Sequence, residues 1–357
     1  MKSLNSIQIY RLKHPLRVPY KLAFGPVGHF DTLIVQMEDA EGRIGFGEAT
    51  ILTGYTDETI EGSWKLLQEL APILLQADEK TRKSLLKIHL PNNPFTVTAL
   101  ATALEMLSSP HLYEVTETKS VPILGVVNSE EVNSLETEID GLLKVGFHTL
   151  KVKVGFDVDK DSHKVQIIQD IIKNRAQIRI DGNQGYTRDQ AIRFIKTLNP
   201  DGIELVEQLC HADDWDSALA IAKMSHVPLM LDESIYGEED IYRAAEINAA
   251  SFIKVKLMKF GSLEYLLHTL SLITKLGIKP VLGNGVAGEI GCWMEAIAAS
   301  THIHNAGEMN GYLKPTSSIL QNPLKFADGS IVLERNYLPH LDKDLLNRFI
   351  TAQRQFH

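Results

Sequence analysis

Three acidic residues recur at an almost constant interval in the middle of the chain. Asp181, Glu207 and Asp232 are 26 and then 25 residues apart. Lys153 lies 28 residues before the first of them, and Lys256 lies 24 residues after the last. One strand–helix unit of an eightfold α/β barrel takes roughly 25–30 residues. The interval therefore predicts one charged residue per unit, at the end of the barrel where the strands share one site.

The pattern around these residues also favours a barrel. Short apolar segments alternate with polar stretches that predict helices over 130–144, 159–174 and 188–197. Continuous apolar strands separated by helices are typical of a parallel sheet that helices cover. We predict a TIM-type (β/α) barrel of seven or eight strands. The strand candidates are 121–127, 149–154, 177–181, 202–208, 228–234, 251–257, 279–285 and 303–311.

The first part of the chain follows a different pattern. Residues 5–12 and 31–38 alternate between apolar and polar side chains, as half-buried strands do. Helical patterns follow over 58–75 and 95–107. Strands followed by helices predict an α+β unit. The predicted organisation is an α+β capping domain over 1–118, a barrel over 119–325 and a C-terminal tail over 326–357 that completes the capping domain.

The composition argues against several classes of protein. With 44% hydrophobic residues and a net charge of −9, the chain of 357 residues is typical of globular proteins and gives no support to nucleic-acid binding. Cys210 and Cys292 are too few for a disulfide framework. The first residues contain no apolar signal core, and no run approaches the roughly 20 apolar residues of a membrane span. We expect a cytoplasmic protein without membrane contact.

Lysines accompany the acidic residues within apolar strands. Because side chains alternate along a strand, Lys151 and Lys153 share one face, and so do Lys254 and Lys256. We expect the ammonium groups of the first pair to lower one another's pKa, which would make a base usable near neutral pH. Surface lysines on an edge strand are the alternative. Lys256 is in phase with the other charged residues, so it is preferred over Lys254 for a catalytic role.

A cation is expected beside the acidic residues. Three carboxylates held together repel one another unless a cation neutralises them, and hard oxygen donors suit Mg²⁺. Each residue alone could instead be a turn former or a helix cap. The glycine pairs at 45 and 47 and at 283 and 285 lack the remaining residues of nucleotide-binding loops, so we interpret both pairs as turns.

These motifs give the chain a family resemblance. Over nearly its whole length it resembles the enolase superfamily, in the muconate lactonizing enzyme subgroup. The matching motifs are KVK at 151–153, DGN at 181–183, VEQ at 206–208, DES at 232–234 and VKLMKFGS at 255–262.

The resemblance implies roles for individual residues. Lys153 and Lys256 would be acid/base groups on opposite faces of the substrate, and Lys151 would support the substrate carboxylate and tune Lys153. The ligands of one Mg²⁺ ion per active site would be Asp181, Glu207 and Asp232. A base on one face and an acid on the other suit 1,1-proton transfer through an enediolate. The resemblance therefore implies a racemase or epimerase acting on dipeptides or N-acyl amino acids.

Two departures from the family concern the substrate and the site. Dipeptide epimerases of the subgroup carry Asp-x-Asp on the eighth strand, whereas this chain has Glu308 and Asn310. Lys254 stands where the family usually has Asn. Residues 14–30 match the mobile loop that shapes the family's pocket. The predicted substrate-binding residues are Glu308, Asn310, Asn183, Tyr20 and Thr53.

Other functions remain open from the sequence. The same machinery serves a lyase, such as an o-succinylbenzoate synthase, a muconate cycloisomerase or an acid dehydratase. A Schiff-base aldolase, with one lysine as nucleophile, belongs to another class, and a non-catalytic barrel is a third alternative. The expected partner is a small-molecule carboxylate, and analogy with other barrels adds a symmetric homo-oligomer.

Overall fold

An antiparallel sheet and three helices form the N-terminal part of the chain. The computed structural model describes residues 3–22, 25–52 and 56–357, so Thr53, a predicted substrate contact, lies outside the described residues. The first elements are β1 (Leu4–Leu22), β2 (Gly25–Asp39), β3 (Ile44–Ile51), α1 (Ile60–Gln76), α2 (Glu79–His89) and α3 (Pro94–Ser108).

Two glycines allow α3 to lie directly on β3. A Cβ atom at Gly45 would come 2.1 Å from the carbonyl oxygen of Ala103, and one at Gly47 would come 1.7 Å from that of Ala99. The interpretation of this glycine pair as a turn is wrong, because both residues lie within β3. Their function is to bring a helix backbone close to a strand, which no larger residue permits.

Strands and helices then alternate along the chain. After a short 3₁₀ helix, Pro110–Tyr113, the elements are β4 (Lys119–Pro122), β5 (Gly125–Val127), α4 (Val132–Lys144), β6 (Thr149–Lys153), α5 (Val158–Ile172), β7 (Gln177–Asp181), α6 (Arg188–Thr197), β8 (Ile203–Glu207), α7 (Trp215–Met224), β9 (Leu229–Leu231), α8 (Glu238–Glu246), β10 (Phe252–Val255), α9 (Leu257–Phe260), α10 (Leu263–Lys275), β11 (Lys279–Leu282) and α11 (Glu289–His302).

The strands β5 to β11 form a curled parallel sheet in which sequence neighbours pair. The prediction of an eighth strand at 303–311 is wrong. This segment nevertheless makes backbone hydrogen bonds to both edges of the sheet. The Glu308 N–H group donates to the Leu282 carbonyl oxygen, and the Leu124 N–H group donates to that of Gly307, both at 2.9 Å. The predicted strand 121–127 is two elements, because β4 pairs outside the barrel sheet.

The end of the chain returns to the N-terminal sheet. A second 3₁₀ helix spans Gly311–Leu313, and the last strand pairs antiparallel with β1 from Ile7 and Phe356 to Leu12 and Ile350. Within the described ranges, no helix is both long and apolar enough to cross a membrane. The remaining elements are β12 (Lys325–Ala327), β13 (Ser330–Leu333), α12 (Lys343–Asn347) and β14 (Ile350–Phe356).

A buried carboxyl connects the N-terminal sheet to the barrel. Glu48 in β3 accepts hydrogen bonds from the backbone N–H groups of Gly288 and Gly291 at the start of α11, the latter at 2.9 Å. Burial raises the pKa of Glu48 from 4.5 to about 7, and the nearby Glu289 carboxyl adds to this rise.

The raised pKa of Glu48 predicts a loss of stability towards high pH. The folded protein binds this proton more tightly than the unfolded chain, so ionisation between pH 4.5 and about 7 destabilises the fold. The shift corresponds to about 3 kcal/mol. Urea unfolding at pH 5 and pH 8 should show this loss in the wild type and a smaller one in Glu48→Gln. The exposed variant Glu114→Gln is the control, and parallel pH profiles for all three proteins would contradict the prediction.

Candidate active site

The carboxyl ends of adjacent barrel strands carry the predicted metal ligands. Asp181 and Glu207 are the last residues of β7 and β8, and Asp232 follows directly after β9. In the strand register Lys153, the last residue of β6, lies opposite Asp181, and Asp181 lies opposite Glu207. Side chains in register on neighbouring strands point the same way, so these residues form one layer at the mouth of the barrel.

Two lysines hold the carboxylate trio (Asp181, Glu207 and Asp232) together. The Lys151 Nζ atom lies 3.1 Å from Asp181 Oδ2 and 2.9 Å from Glu207 Oε2. The Lys254 Nζ atom contacts Glu207 Oε1 and lies 3.2 Å from Asp232 Oδ2. Each carboxylate residue is at most 3% exposed. The structure therefore brings the three predicted ligands into one buried cluster.

Glu308 adds a fourth carboxylate to the cluster. Its Oε1 atom lies 3.1 Å from Lys151 Nζ, and its Oε2 atom lies 3.0 Å from Lys254 Nζ. Burial alone would raise the pKa of Glu308, but the two ammonium groups hold that pKa well below its usual range. Glu308 thus binds lysines of its own chain, and its contact with a substrate stays a prediction.

Asp232 is surrounded by three lysines. In addition to Lys254, Lys256 Nζ lies 2.8 Å from Asp232 Oδ2, and Lys259 Nζ lies 3.5 Å from Oδ1. Lys259 is in α9 and also donates to the carbonyl oxygens of Asp232 and Ile235, at 3.1 Å and 2.9 Å. Burial opposes ionisation of Asp232, but the ammonium groups lower its pKa well below the ordinary value.

Opposite charges are paired in this cluster, and burial together with the nearby Asp181 carboxylate raises the pKa of Glu207 to about 8. The carboxyl groups of the trio and that of Glu308 contact the ammonium groups of four lysines, Lys151, Lys254, Lys256 and Lys259. The expectation of a lowered pKa is wrong for Lys151. Burial lowers its pKa, but the neighbouring carboxylates raise it above the ordinary value. Lys151 is therefore a permanent cation in this geometry rather than a base.

Lys153 and Lys256 lie on either side of the carboxylate trio in strand order. Lys153 is on β6, one strand before the trio, and Lys256 follows β10, one strand after it. Lys153 is half-buried, and in the part of the chain that the structure describes it pairs with no carboxylate. Lys256 is buried and bound to Asp232. The two lysines are therefore held differently.

The carboxylate trio has the donor chemistry for Mg²⁺, which prefers hard carboxylate oxygens. The buried Glu207 Oε2 and Asp232 Oδ1 atoms accept no hydrogen bond from the described residues and have only lysine ion pairs nearby. Among all the residues that the structure describes, no three acidic, histidine or cysteine side chains are already arranged to hold a metal ion. The carboxylate trio therefore has the oxygen ligands that Mg²⁺ needs, and lysine ammonium groups are paired with those oxygens.

Two predicted substrate-binding amides contact the protein itself. Asn183 lies two residues after Asp181 in a left-handed backbone conformation, with φ of 44°, and its side chain donates to Glu233 Oε1 at 2.9 Å. The Asn310 side chain donates to the Leu124 carbonyl oxygen at 3.1 Å. Both side chains lie near the mouth of the barrel, and their contact with a substrate stays a prediction.

The sequence did not single out Lys314 as a site residue. Its Nζ atom donates to Asn310 Oδ1 at 2.6 Å and lies 5.2 Å from the ring centre of Tyr20, a predicted substrate contact. Burial lowers the pKa of Lys314 to about 8, and the positive charge of Lys153 adds to that effect. The one available signal was its position four residues after Asn310, in a segment without periodicity.

Two family models cover most of the chain. The model described as "Enolase C-terminal domain-like" matches residues 134–336. The model "Mandelate racemase / muconate lactonizing enzyme, N-terminal domain" matches residues 6–106. The chain belongs to the enolase superfamily. The resemblance drawn from the motifs is thereby confirmed.

Relatives within the superfamily carry the names of racemases and epimerases. The N-succinyl-L-Arg/Lys racemase of Bacillus cereus is 25% identical over 333 residues, which cover 88% of this chain and 89% of the relative. The L-Lys-D/L-Arg epimerase of Methylococcus capsulatus is 29% identical over 346 residues, which cover 92% and 94%. These names bear out the prediction of an isomerase of this superfamily.

Solved structures of the superfamily share the fold. The B. cereus N-succinyl Arg/Lys racemase superposes with a TM-score of 0.88 at 24% identity and covers all of both chains. A dipeptide epimerase from Cytophaga hutchinsonii, in complex with Mg and the dipeptide D-Ala-L-Val, superposes with a TM-score of 0.88 at 20% identity, over 99% of this chain and 100% of that one. The predicted barrel with an N-terminal α+β part is confirmed.

Proposed function

We propose that this protein is a Mg²⁺-dependent racemase or epimerase that inverts the carbon next to a carboxylate, in dipeptides or N-acyl amino acids. The observation that carries the proposal is the placement of Lys153 and Lys256 on either side of the carboxylate trio. A substrate bound over the trio would then present one face to each amine. The names of the relatives support the same reaction class.

The two lysines divide the proton transfer between them. Lys153 is not held by a carboxylate of the described residues, so in its neutral form it would take the proton from the α carbon. Lys256 is an ammonium held by Asp232 at 2.8 Å, so it is positioned to return a proton on the other face. The roles exchange in the reverse direction, as a reversible inversion requires.

The carboxylate trio is the proposed site of one Mg²⁺ ion. When bound there, the ion would supply positive charge that stabilises the enediolate formed as the α proton leaves. The protein adds the ammonium of Lys151, which is fixed between Asp181 and Glu207 and carries a permanent charge near the same place. Burial of the cluster strengthens these electrostatic effects because water is excluded.

The substrate class is proposed from the relatives and from the mouth of the barrel. One relative is named for an N-succinyl amino acid, and a structural neighbour holds a dipeptide. Both molecules carry an acylated nitrogen on the carbon next to the carboxylate. Tyr20, Asn310 and Lys314 form a contact chain beside Lys153, where they could meet the acyl portion.

Deuterium exchange tests the proposal directly. The protein is incubated in D₂O with a library of dipeptides and N-acyl amino acids, with Mg²⁺ or after EDTA treatment, and mass spectrometry follows the α hydrogen. We expect exchange and inversion of at least one member, both lost after EDTA and restored by Mg²⁺. Absence of exchange across the library would reject the substrate class.

The products separate this proposal from its alternatives. A lyase or cycloisomerase of the superfamily would change the mass or unsaturation of its substrate, whereas an epimerase changes neither. A Schiff-base enzyme would form an adduct that borohydride traps without any need for metal. Inversion without a change in mass, dependent on Mg²⁺, is the outcome that fits the two opposed lysines.

A further inference from the structure

Lys254 is buried beside the carboxylate trio. It lies in β10 and is 1% exposed, although a lysine is rarely buried without a partner. Gly283 makes room for it, because a Cβ atom there would come 2.7 Å from Lys254 Cδ and 2.9 Å from Lys256 Cε. The fold therefore accommodates a second lysine beside the proposed catalytic one.

The Lys254 ammonium is paired with three carboxylates that are distant in sequence. It contacts Glu207 Oε1 and lies 3.2 Å from Asp232 Oδ2 and 3.0 Å from Glu308 Oε2. The ammonium donates hydrogen bonds to Glu207 and Glu308, and Asp232 is an ion-pair partner. Two of them belong to the carboxylate trio. A metal ion held by Glu207 and Asp232 would compete with the Lys254 ammonium for these carboxylates.

The charges of the cluster also oppose binding of a divalent ion. The carboxylates of the cluster are already paired with ammonium groups of the chain, so a divalent ion would bring further positive charge beside buried lysines. With an uncharged residue at position 254, the cluster would hold one ammonium group fewer. A divalent ion would then meet less repulsion.

We propose that the Lys254 ammonium is a built-in cation of the carboxylate trio that Mg²⁺ must displace, and that Lys254 therefore sets a low affinity for the ion. This inference rests on the metal ligands of the proposed function. It says nothing about which substrate is bound. Its consequence is that the protein holds its carboxylates together without metal and binds Mg²⁺ only at high concentration.

Metal binding to the wild type, three Lys254 variants and one control variant tests the inference. Isothermal titration with Mg²⁺, and Mn²⁺ binding followed by electron paramagnetic resonance, are compared for the wild type, Lys254→Asn, Lys254→Met and Lys254→Arg. We expect at least about a tenfold gain in affinity for Asn and Met, and weak binding in the wild type and in Arg. The Met variant removes the charge without adding an oxygen ligand, and Lys83→Asn, at an exposed ion pair with Glu79, is the control.

Thermal unfolding provides a second readout on the same proteins. Without divalent ions, Lys254→Asn and Lys254→Met should melt below the wild type, and saturating Mg²⁺ should raise their melting temperatures more than that of the wild type. The inference is overturned if wild type and Lys254→Met bind Mg²⁺ equally, if Lys254→Arg binds as tightly as Lys254→Met, or if none of the proteins binds the ion.

The two proposals can fail separately. Deuterium exchange in the wild type together with an unchanged metal affinity in the Lys254 variants would overturn the role of Lys254 and leave the epimerase intact. A tighter metal site in these variants, without exchange in any substrate, would reject the epimerase and support the role of Lys254. Because the titration measures binding alone, it does not depend on finding the substrate.

Discussion

Alanine at either Lys153 or Lys256 is expected to lower kcat/KM for epimerisation by about 10²–10⁴-fold, the range for loss of a general acid or base. Each lysine lies on one side of the carboxylate trio, so neither can perform the role of the other. Lys196→Ala, on the exposed face of α6, is the matched control and should keep wild-type activity. Circular dichroism checks that the variants are folded before their activity is compared.

The two variants should also differ in what they still exchange with D₂O. If Lys153 is absent, Lys256 can still remove the α proton of one epimer, and the converse holds for Lys256→Ala. Each variant is therefore expected to exchange the α hydrogen of one epimer only. The epimer that Lys153→Ala exchanges should be the opposite of the one that Lys256→Ala exchanges. A variant that retained near-normal turnover, or exchanged both epimers at equal rates, would contradict the assignment of two opposed bases.

The sequence predicted the barrel because its signal is local and repeated. The predicted helix 188–197 coincides with α6, and the predicted helices 130–144 and 159–174 differ from α4 and α5 by at most two residues at either end. In-phase acidic residues predicted which side chains lie together, because parallel strands in register place equivalent positions side by side.

The errors involve contacts between distant parts of the chain. Gly45 and Gly47 lie in a strand on which the backbone of α3 packs closely. No residue next to them in the sequence indicates this contact. The pKa of Lys151 is set by carboxylates on other strands and at Glu308, 157 residues away, and not by its sequence neighbour Lys153. Local periodicity carries no information on such pairs.

Asp232→Asn is expected to destabilise the protein by about 3–5 kcal/mol, the cost of removing one partner from a buried ion pair. Lys254, Lys256 and Lys259 all contact this carboxylate, so its loss leaves buried positive charge without compensation. Urea unfolding at pH 7 measures the change, with the exposed variant Asp213→Asn as control. A free energy of unfolding within about 0.5 kcal/mol of the wild type would contradict the prediction, since surface changes have effects of that size.

The charge balance of the cluster makes a stricter version of this prediction. Lys254→Asn removes one positive charge and Asp232→Asn removes one negative charge, so the double variant restores the balance that each single variant breaks. The two losses of stability should therefore not add, and the double variant should be more stable than their sum predicts by about 1–3 kcal/mol, as for contacting residues in one network. Additive losses would mean that Asp232 and Lys254 act through packing rather than through charge, and the account of a cluster neutralised by its own lysines would then fail.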